Sequence, residues 1–124
     1  MENVTIHILD RAKCGLVAGQ KMLIPTIANL EAALPLLSPG VVTSEKAFRA
    51  LVAEPFNADG CCTFATNKAL RAITEAACAR LADGISQSNE MPFWRLITPG
   101  STIAKRLSLD AGTLRQLLAN DLCH

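Results

Sequence analysis

The sequence predicts a mainly α-helical domain with a helix-turn-helix core and a short strand or hairpin, in a winged-helix-like arrangement. Three observations support this fold class. Residues 63–81 carry apolar side chains three or four positions apart, as one face of a long helix does. Two shorter helical patterns precede that stretch, each bounded by Pro or Gly turns. An alternating segment near the start and an aromatic segment before a Pro-Gly turn predict the strand and the wing.

The first residues predict a short strand or a loosely held arm. Val4, Ile6 and Ile8 alternate with polar residues, and two glycines then break the pattern. We therefore divide the chain into an N-terminal arm or strand, residues 1–19, and a winged-helix-like domain, residues 20–124.

The two helices that follow have clear start and stop signals. Thr26 follows a proline and is a good N-cap for the first helix. Pro35 lacks a backbone donor, so this helix is expected to kink or stop near Leu34. After a Ser-Pro-Gly turn, Thr43 or Ser44 is expected to cap the second helix.

The long helix is the centre of the functional prediction. Thr63 or Thr66 is its expected N-cap, and Gly84 its expected C′ residue. Its apolar stripe consists of Leu70, Ile73, Ala77 and Leu81. Its opposite side carries Lys68, Arg71 and Glu75. This pattern fits a groove-reading helix, and it fits equally an ordinary core helix with a solvated face.

The C-terminal third is predicted to contain a wing and a final helix. The aromatic segment at residues 91–97 predicts a strand, with residues 101–104 as the second half of a wing hairpin. Asp110 is expected to cap the last helix, which would bury leucines. Residues 120–124, including the terminal His124, are expected to fray.

Composition bounds the class of protein without fixing its partner. The net charge is +1, and residues 64–124 carry seven basic and five acidic residues, a weak basic bias. The five cysteines have no zinc-type spacing and predict reduced thiols in a cytoplasm. We find no signal-peptide pattern and no apolar run of membrane length, so we expect a cytoplasmic protein without a membrane partner or a cofactor.

The sequence offers little for enzyme chemistry. The two histidines lie near opposite ends, which argues against a Ser-His-Asp or Cys-His arrangement. Cys62, near a helix N-terminus where a thiolate is favoured, is the one candidate nucleophile. The alternative is that Cys61 and Cys62 are small residues in a tight turn.

Three segments together resemble a known family. These are residues 20–26 (QKMLIPT), residues 37–43 (LSPGVVT) and residues 92–97 (PFWRLI) before a Gly turn and a Leu-rich helix. In order and spacing they are similar to the alkyltransferase-like group, bacterial homologues of the DNA-binding domain of alkylguanine-DNA alkyltransferase. The resemblance covers roughly residues 20–122 and implies a fold like the alkyltransferase C-terminal module, with a role in DNA repair.

The resemblance also implies roles for particular residues. The family's Pro-Cys-His-Arg motif, which holds the alkyl-accepting cysteine, corresponds to Pro92, Phe93, Trp94 and Arg95. With no thiol and no imidazole there, the resemblance implies a non-enzymatic member, with Phe93 and Trp94 at the lesion pocket. The family's Ala-Arg-Ala-Val motif matches residues 69–73, so Arg71 is the candidate base-displacing arginine. The sequence departs from the family at Ser44 and Glu75, and Glu75 would face phosphates unfavourably.

We therefore predict a non-catalytic DNA-binding protein that recognises distorted or alkylated DNA. The predicted DNA-binding residues are Thr43, Ser44, Lys68, Arg71, Arg95 and Lys105. A second version of the DNA-binding prediction uses residues 101–118 as a small helix-turn-helix, with Arg115 in its recognition helix. A rival from another class is a protein-interaction module or homodimer that kept the fold without DNA binding. A thiol enzyme using Cys62 is a third alternative.

Overall fold

The structure, a computed structural model, describes residues 4–122. Within them the helices are α1 (Ile27–Ala33), α2 (Glu45–Ala53), α3 (Thr63–Ala82), α4 (Thr102–Arg106) and α5 (Ala111–Asn120). The strands are β1 (Thr5–Ile8), β2 (Lys21–Ile24) and β3 (Gly60–Cys61). The molecule is thus mixed α/β, with 53% of it helical, where the sequence predicted a mainly α domain.

The predicted N-terminal strand is confirmed, and it belongs to a small sheet. β1 pairs antiparallel with β2, placing Thr5 opposite Ile24, and β2 pairs parallel with β3. The hairpin therefore joins residues on both sides of the boundary predicted at residue 19. Leu23 in β2 is fully buried, because the inner face of the sheet packs on the helical core.

The start and end of α1 follow the predicted local signals. The backbone N–H of Asn29 donates to Thr26 Oγ1 at 3.2 Å, and the Thr26 N–H donates to Asn29 Oδ1 at 2.9 Å. This reciprocal capping box satisfies two backbone donors that a helix start leaves open. The helix ends at Ala33, and a 3-10 turn at Leu34–Leu36 accommodates the proline, as predicted.

The caps of α2 and α3 differ in how well the sequence predicted them. Ser44 Oγ accepts the backbone N–H of Ala47 at 3.1 Å and caps α2, as expected. The predicted threonine caps of α3 are wrong, because the helix begins at Thr63 with Cys62 in the cap position. Thr66 instead lies in the first turn and donates its hydroxyl to the Cys62 carbonyl at 2.7 Å.

The core is built on the apolar stripe of α3. Leu70, Ile73 and Ala77 are buried, and α1 packs against this helix. Phe48 of α2 and Phe93 are almost completely buried in the same cluster. Each such side chain stabilises the fold by about 1.5–3 kcal/mol through burial of apolar surface.

The predicted wing is not present. Phe93–Arg95 form a 3-10 turn, and Thr102–Arg106 form α4, which Ser101 caps through its hydroxyl. An alternating strand would turn every second side chain outward, whereas Pro92 and its next two neighbours are buried in succession. Because other parts of the fold cover this segment on more than one side, tertiary packing overrides the strand pattern here. The predicted Asp110 cap of α5 is confirmed, with the Thr113 N–H donating at 2.6 Å.

The predicted fraying at residues 120–124 is wrong for Asp121, which is held in place within the described residues. Asp121 is 1% exposed and forms an ion pair described below. The terminal His124 lies outside the described residues.

Candidate nucleic-acid interface

A groove between α3 and α4 gathers three basic side chains. Its volume is about 520 Å³. Its lining residues are Glu45, Phe64, Asn67, Lys68, Arg71, Thr102, Ile103 and Arg106. Half of them come from the first three turns of α3, and the others come from α4 and the start of α2.

The α3 residues share one face because of their spacing. Phe64, Lys68 and Arg71 are four and three positions apart, so they lie one above the other along the helix. The opposite face carries the buried stripe that anchors α3 in the core. Burial of that stripe therefore turns the basic and aromatic side chains outward into the groove.

The groove carries an excess of positive charge. Lys68, Arg71 and Arg106 contribute three positive charges against the single carboxylate of Glu45. Within residues 4–122, none of the three cations forms an ion pair, and Glu45 lies 4.0 Å from Arg49, outside the groove. The three cations are thus available to an external anion. Glu75 is exposed one turn beyond Arg71 on the same helical face, but it does not line the groove.

The structure brings together only part of the predicted DNA-binding set. Lys68 and Arg71 share the groove, while Lys105 is exposed on α4 without lining it. Thr43 and Ser44 do not line the groove but directly precede Glu45 in the chain, and the Ser44 hydroxyl oxygen accepts the Ala47 N–H that caps α2. Sequence interpretation missed Phe64 and Arg106. The sequence contained a feature that could have identified Phe64, because it is a large apolar residue on the polar side of the predicted helix.

Arg95 does not lie on the surface that Lys68 and Arg71 form, although the sequence predicted it to bind DNA with them. Its Nε and one terminal nitrogen donate to the Asp121 carboxylate, each at 2.8 Å, and its other terminal nitrogen donates to the Leu37 carbonyl at 3.1 Å. The Arg95 hydrogen bonds hold the pKa of Asp121 below its usual value despite burial, with help from the backbone N–H of Gly40. Arg95 is therefore an internal partner of Asp121, and we do not include it in the proposed interface.

The predicted lesion-pocket residues also point away from the groove. Phe93 is 0% and Trp94 is 3% exposed, and their rings contact edge to face with centroids 5.2 Å apart. Trp94 borders a separate concavity of about 710 Å³, formed by residues 87–92 with Pro35, Arg95 and Asp121. The two concavities share no lining residue, so these aromatics and the predicted reading helix are not parts of one pocket.

The thiol that accepts a hydrogen bond at the start of α3 belongs to Cys14, whereas Cys62 was the predicted nucleophile. Cys62 is 8% exposed and packs with Leu9 and Met22. Cys14 Sγ lies 3.4 Å from Thr63 Oγ1 and accepts the Thr63 backbone N–H at 3.4 Å. Burial raises the pKa of Cys14, but hydrogen bonds with Thr63 and Cys62 and the nearby charge of Lys13 together outweigh burial and leave the pKa below its ordinary value. By contrast, burial raises the pKa of Cys61 to about 11.

No group of three metal-ligating side chains occurs in the part of the chain that the structure describes. None of the helices over residues 4–122 combines the length and the apolar character needed to cross a membrane. Comparison of the chain with protein families, with curated proteins and with solved structures gives no match.

Proposed function

We propose that this chain is a non-catalytic DNA-binding protein in which α2, the connection at residues 54–62 and α3 act as a helix-turn-helix without a wing. The groove lined by Lys68, Arg71 and Arg106 is the observation that carries the proposal. Three cations without an ion-pair partner on one concave surface are the kind of group that binds phosphates of a nucleic-acid backbone. In this proposal Thr43, Ser44 and Lys105 lie at the margins and contact the backbone.

The non-catalytic part of the proposal rests on the position that corresponds to the acceptor cysteine. Phe93 and Trp94 occupy it, and neither side chain supplies a nucleophile or a general base. Both are buried in the protein. The proposed role is therefore binding, as in the alkyltransferase-like group that the sequence resembles, with distorted or alkylated DNA as the candidate ligand.

A salt titration of DNA affinity tests the proposal. Fluorescence anisotropy with a labelled duplex, measured at several salt concentrations, gives the number of phosphate contacts. We expect log Kd to rise with log salt with a slope of about 2 to 3 for three contacts, and a slope about one unit smaller in Arg71→Ala. Absence of binding at low salt to both duplex and single-stranded DNA contradicts the proposal.

Two arginine variants serve as controls for Arg71→Ala. Arg11→Ala makes the same change in net charge on the loop between β1 and β2, so it should leave affinity nearly unchanged. Arg115→Ala tests the second version of the interface, on α5. If Arg115→Ala weakens binding and Arg71→Ala does not, the reading helix is α5 and the groove assignment is wrong.

A second candidate function is a protein-interaction module or homodimer. It is favoured by the edge strand β1, whose outer side is unpaired in the three-stranded sheet, and by Ile8 and Val17, which are 72% and 59% exposed. Exposed edges with apolar side chains can take up a strand from another chain. A molar mass of two chains by light scattering, reduced to one chain by Ile8→Lys, would favour this candidate.

A further inference from the structure

Phe64 is the exposed aromatic side chain of this protein. It is 76% exposed, whereas Phe48, Phe93 and Trp94 are at most 3% exposed and Phe56 is half-buried. Exposing a phenylalanine forgoes about 1.5–3 kcal/mol of burial. Phe64 is not part of the hydrophobic core, because α3 is anchored there by residues on its opposite face.

The surroundings of Phe64 are charged and polar, unlike those of an apolar docking patch. Phe64 lines the groove with Lys68 and Arg71, one and two turns further along α3, and with Arg106 across from them on α4. An aromatic ring beside unpaired cations is the combination that binds single-stranded nucleic acid: the ring stacks on a base and the cations hold the phosphates. The groove volume of about 520 Å³ lies within the range of about 300–1,000 Å³ typical of sites for small ligands.

We infer that Phe64 is a stacking platform for an unpaired base, and that the groove holds a single-stranded or locally unpaired segment of DNA. This inference rests on the proposed function and specifies the form of DNA that the groove prefers. In a continuous duplex both faces of each base are covered by its neighbours, so Phe64 could stack only after a costly separation of two base pairs. An unpaired base offers its face at no such cost, while Lys68, Arg71 and Arg106 contact phosphates in either form.

The test compares single-stranded and duplex DNA in fluorescence anisotropy with the full chain at low salt. The probes are a labelled oligothymidine and a blunt duplex of equal length. The variants are Phe64→Ala, Phe64→Leu and Phe64→Trp. Leu36→Ala is the control, because Leu36 is also an exposed large apolar residue, 69% exposed, and lines a different concavity.

We expect Phe64→Ala and Phe64→Leu to weaken binding of the oligothymidine by about five- to 150-fold, the value of one base–aromatic stack. Phe64→Trp, which keeps an aromatic face, should retain the affinity. Duplex affinity should be unchanged in all three variants, and Leu36→Ala should bind both probes like the unaltered chain. Because Phe64 is largely exposed, these variants should also keep the unfolding midpoint.

The outcomes separate this inference from the proposed function. If the unaltered chain binds neither probe, the proposed function fails and the inference fails with it. If the unaltered chain binds DNA but Phe64→Ala weakens both probes equally, or neither, only the stacking role is overturned. A loss of self-association in Phe64→Ala with unchanged DNA affinity also overturns it, since Phe64 would then contact a second copy of the chain.

Discussion

Replacement of Asp121 by alanine is expected to destabilise the protein strongly. Asp121 is 1% exposed, and its carboxylate accepts two hydrogen bonds from Arg95 and one from the Gly40 N–H, at 2.7 Å. The Arg95 side chain is only 13% exposed, so removal of its partner leaves a largely buried cation uncompensated. Breaking such a pair costs about 3–5 kcal/mol, a large part of the roughly 5–15 kcal/mol that stabilises a domain.

Urea unfolding followed by the fluorescence of Trp94 measures this loss, because Trp94 is the one tryptophan and lies next to Arg95 in the sequence. The matched control is the double variant Arg95→Met/Asp121→Leu. It replaces the ion pair with apolar side chains and should lose less stability than Asp121→Ala alone. A loss below about 1 kcal/mol in Asp121→Ala, or a double variant as unstable as the single one, would refute the assigned role of the pair.

The ion pair also predicts a pH dependence. The folded-state pKa of Asp121 is lowered, chiefly by Arg95, so its contribution to stability is present above its ordinary pKa of 3.8. That contribution is lost as the pH falls through the lower folded-state pKa. The difference in stability between the unaltered chain and Asp121→Ala should therefore be constant near neutrality and narrow below about pH 4. A difference that does not change in acid would contradict the assignment.

Two further predictions concern the backbone at Gly40 and the thiol of Cys14. Gly40→Ala should cost about 1–2 kcal/mol in urea unfolding, because Gly40 has φ of 74° and a Cβ there would approach the exposed Leu122 side chain. Unchanged stability would contradict this strain. Among the four cysteines that the structure describes, Cys14 should react first with iodoacetamide near neutral pH, because its lowered pKa increases the thiolate fraction. Peptide mapping by mass spectrometry would contradict this if Cys61 were labelled first.

Local signals predicted much of the helical framework. Thr26, Ser44 and Asp110 cap their helices as expected, because a cap involves a side chain and a backbone N–H only three residues away. The stop at Pro35 and the left-handed Gly84, with φ of 94°, depend equally on local covalent structure.

The predicted wing shows where local pattern was insufficient. Residues 91–97 combine aromatic and branched side chains in a way typical of a strand. The core instead takes up Phe93 and Trp94 together, and a 3-10 turn is the backbone that permits this. Whether a strand or a 3-10 turn is more stable at residues 91–97 depends on how α3 and α5 pack against this segment. That packing involves residues distant in the sequence, so the local sequence pattern does not specify it.

The chain by itself determined that Lys68 and Arg71 share a face of a long helix, because helical periodicity follows from covalent geometry and from the burial of Leu70 and Ile73. Only the tertiary structure decided which side chains from distant parts of the chain lie next to that face and which do not. Arg106 lies on α4 across the groove, and Arg95 pairs with the buried Asp121. The Cys14 thiol, rather than that of the cap residue Cys62, accepts the Thr63 N–H at the start of α3. These partners are 26 to 49 residues apart, and chain connectivity does not specify contacts at such separations until the core has packed.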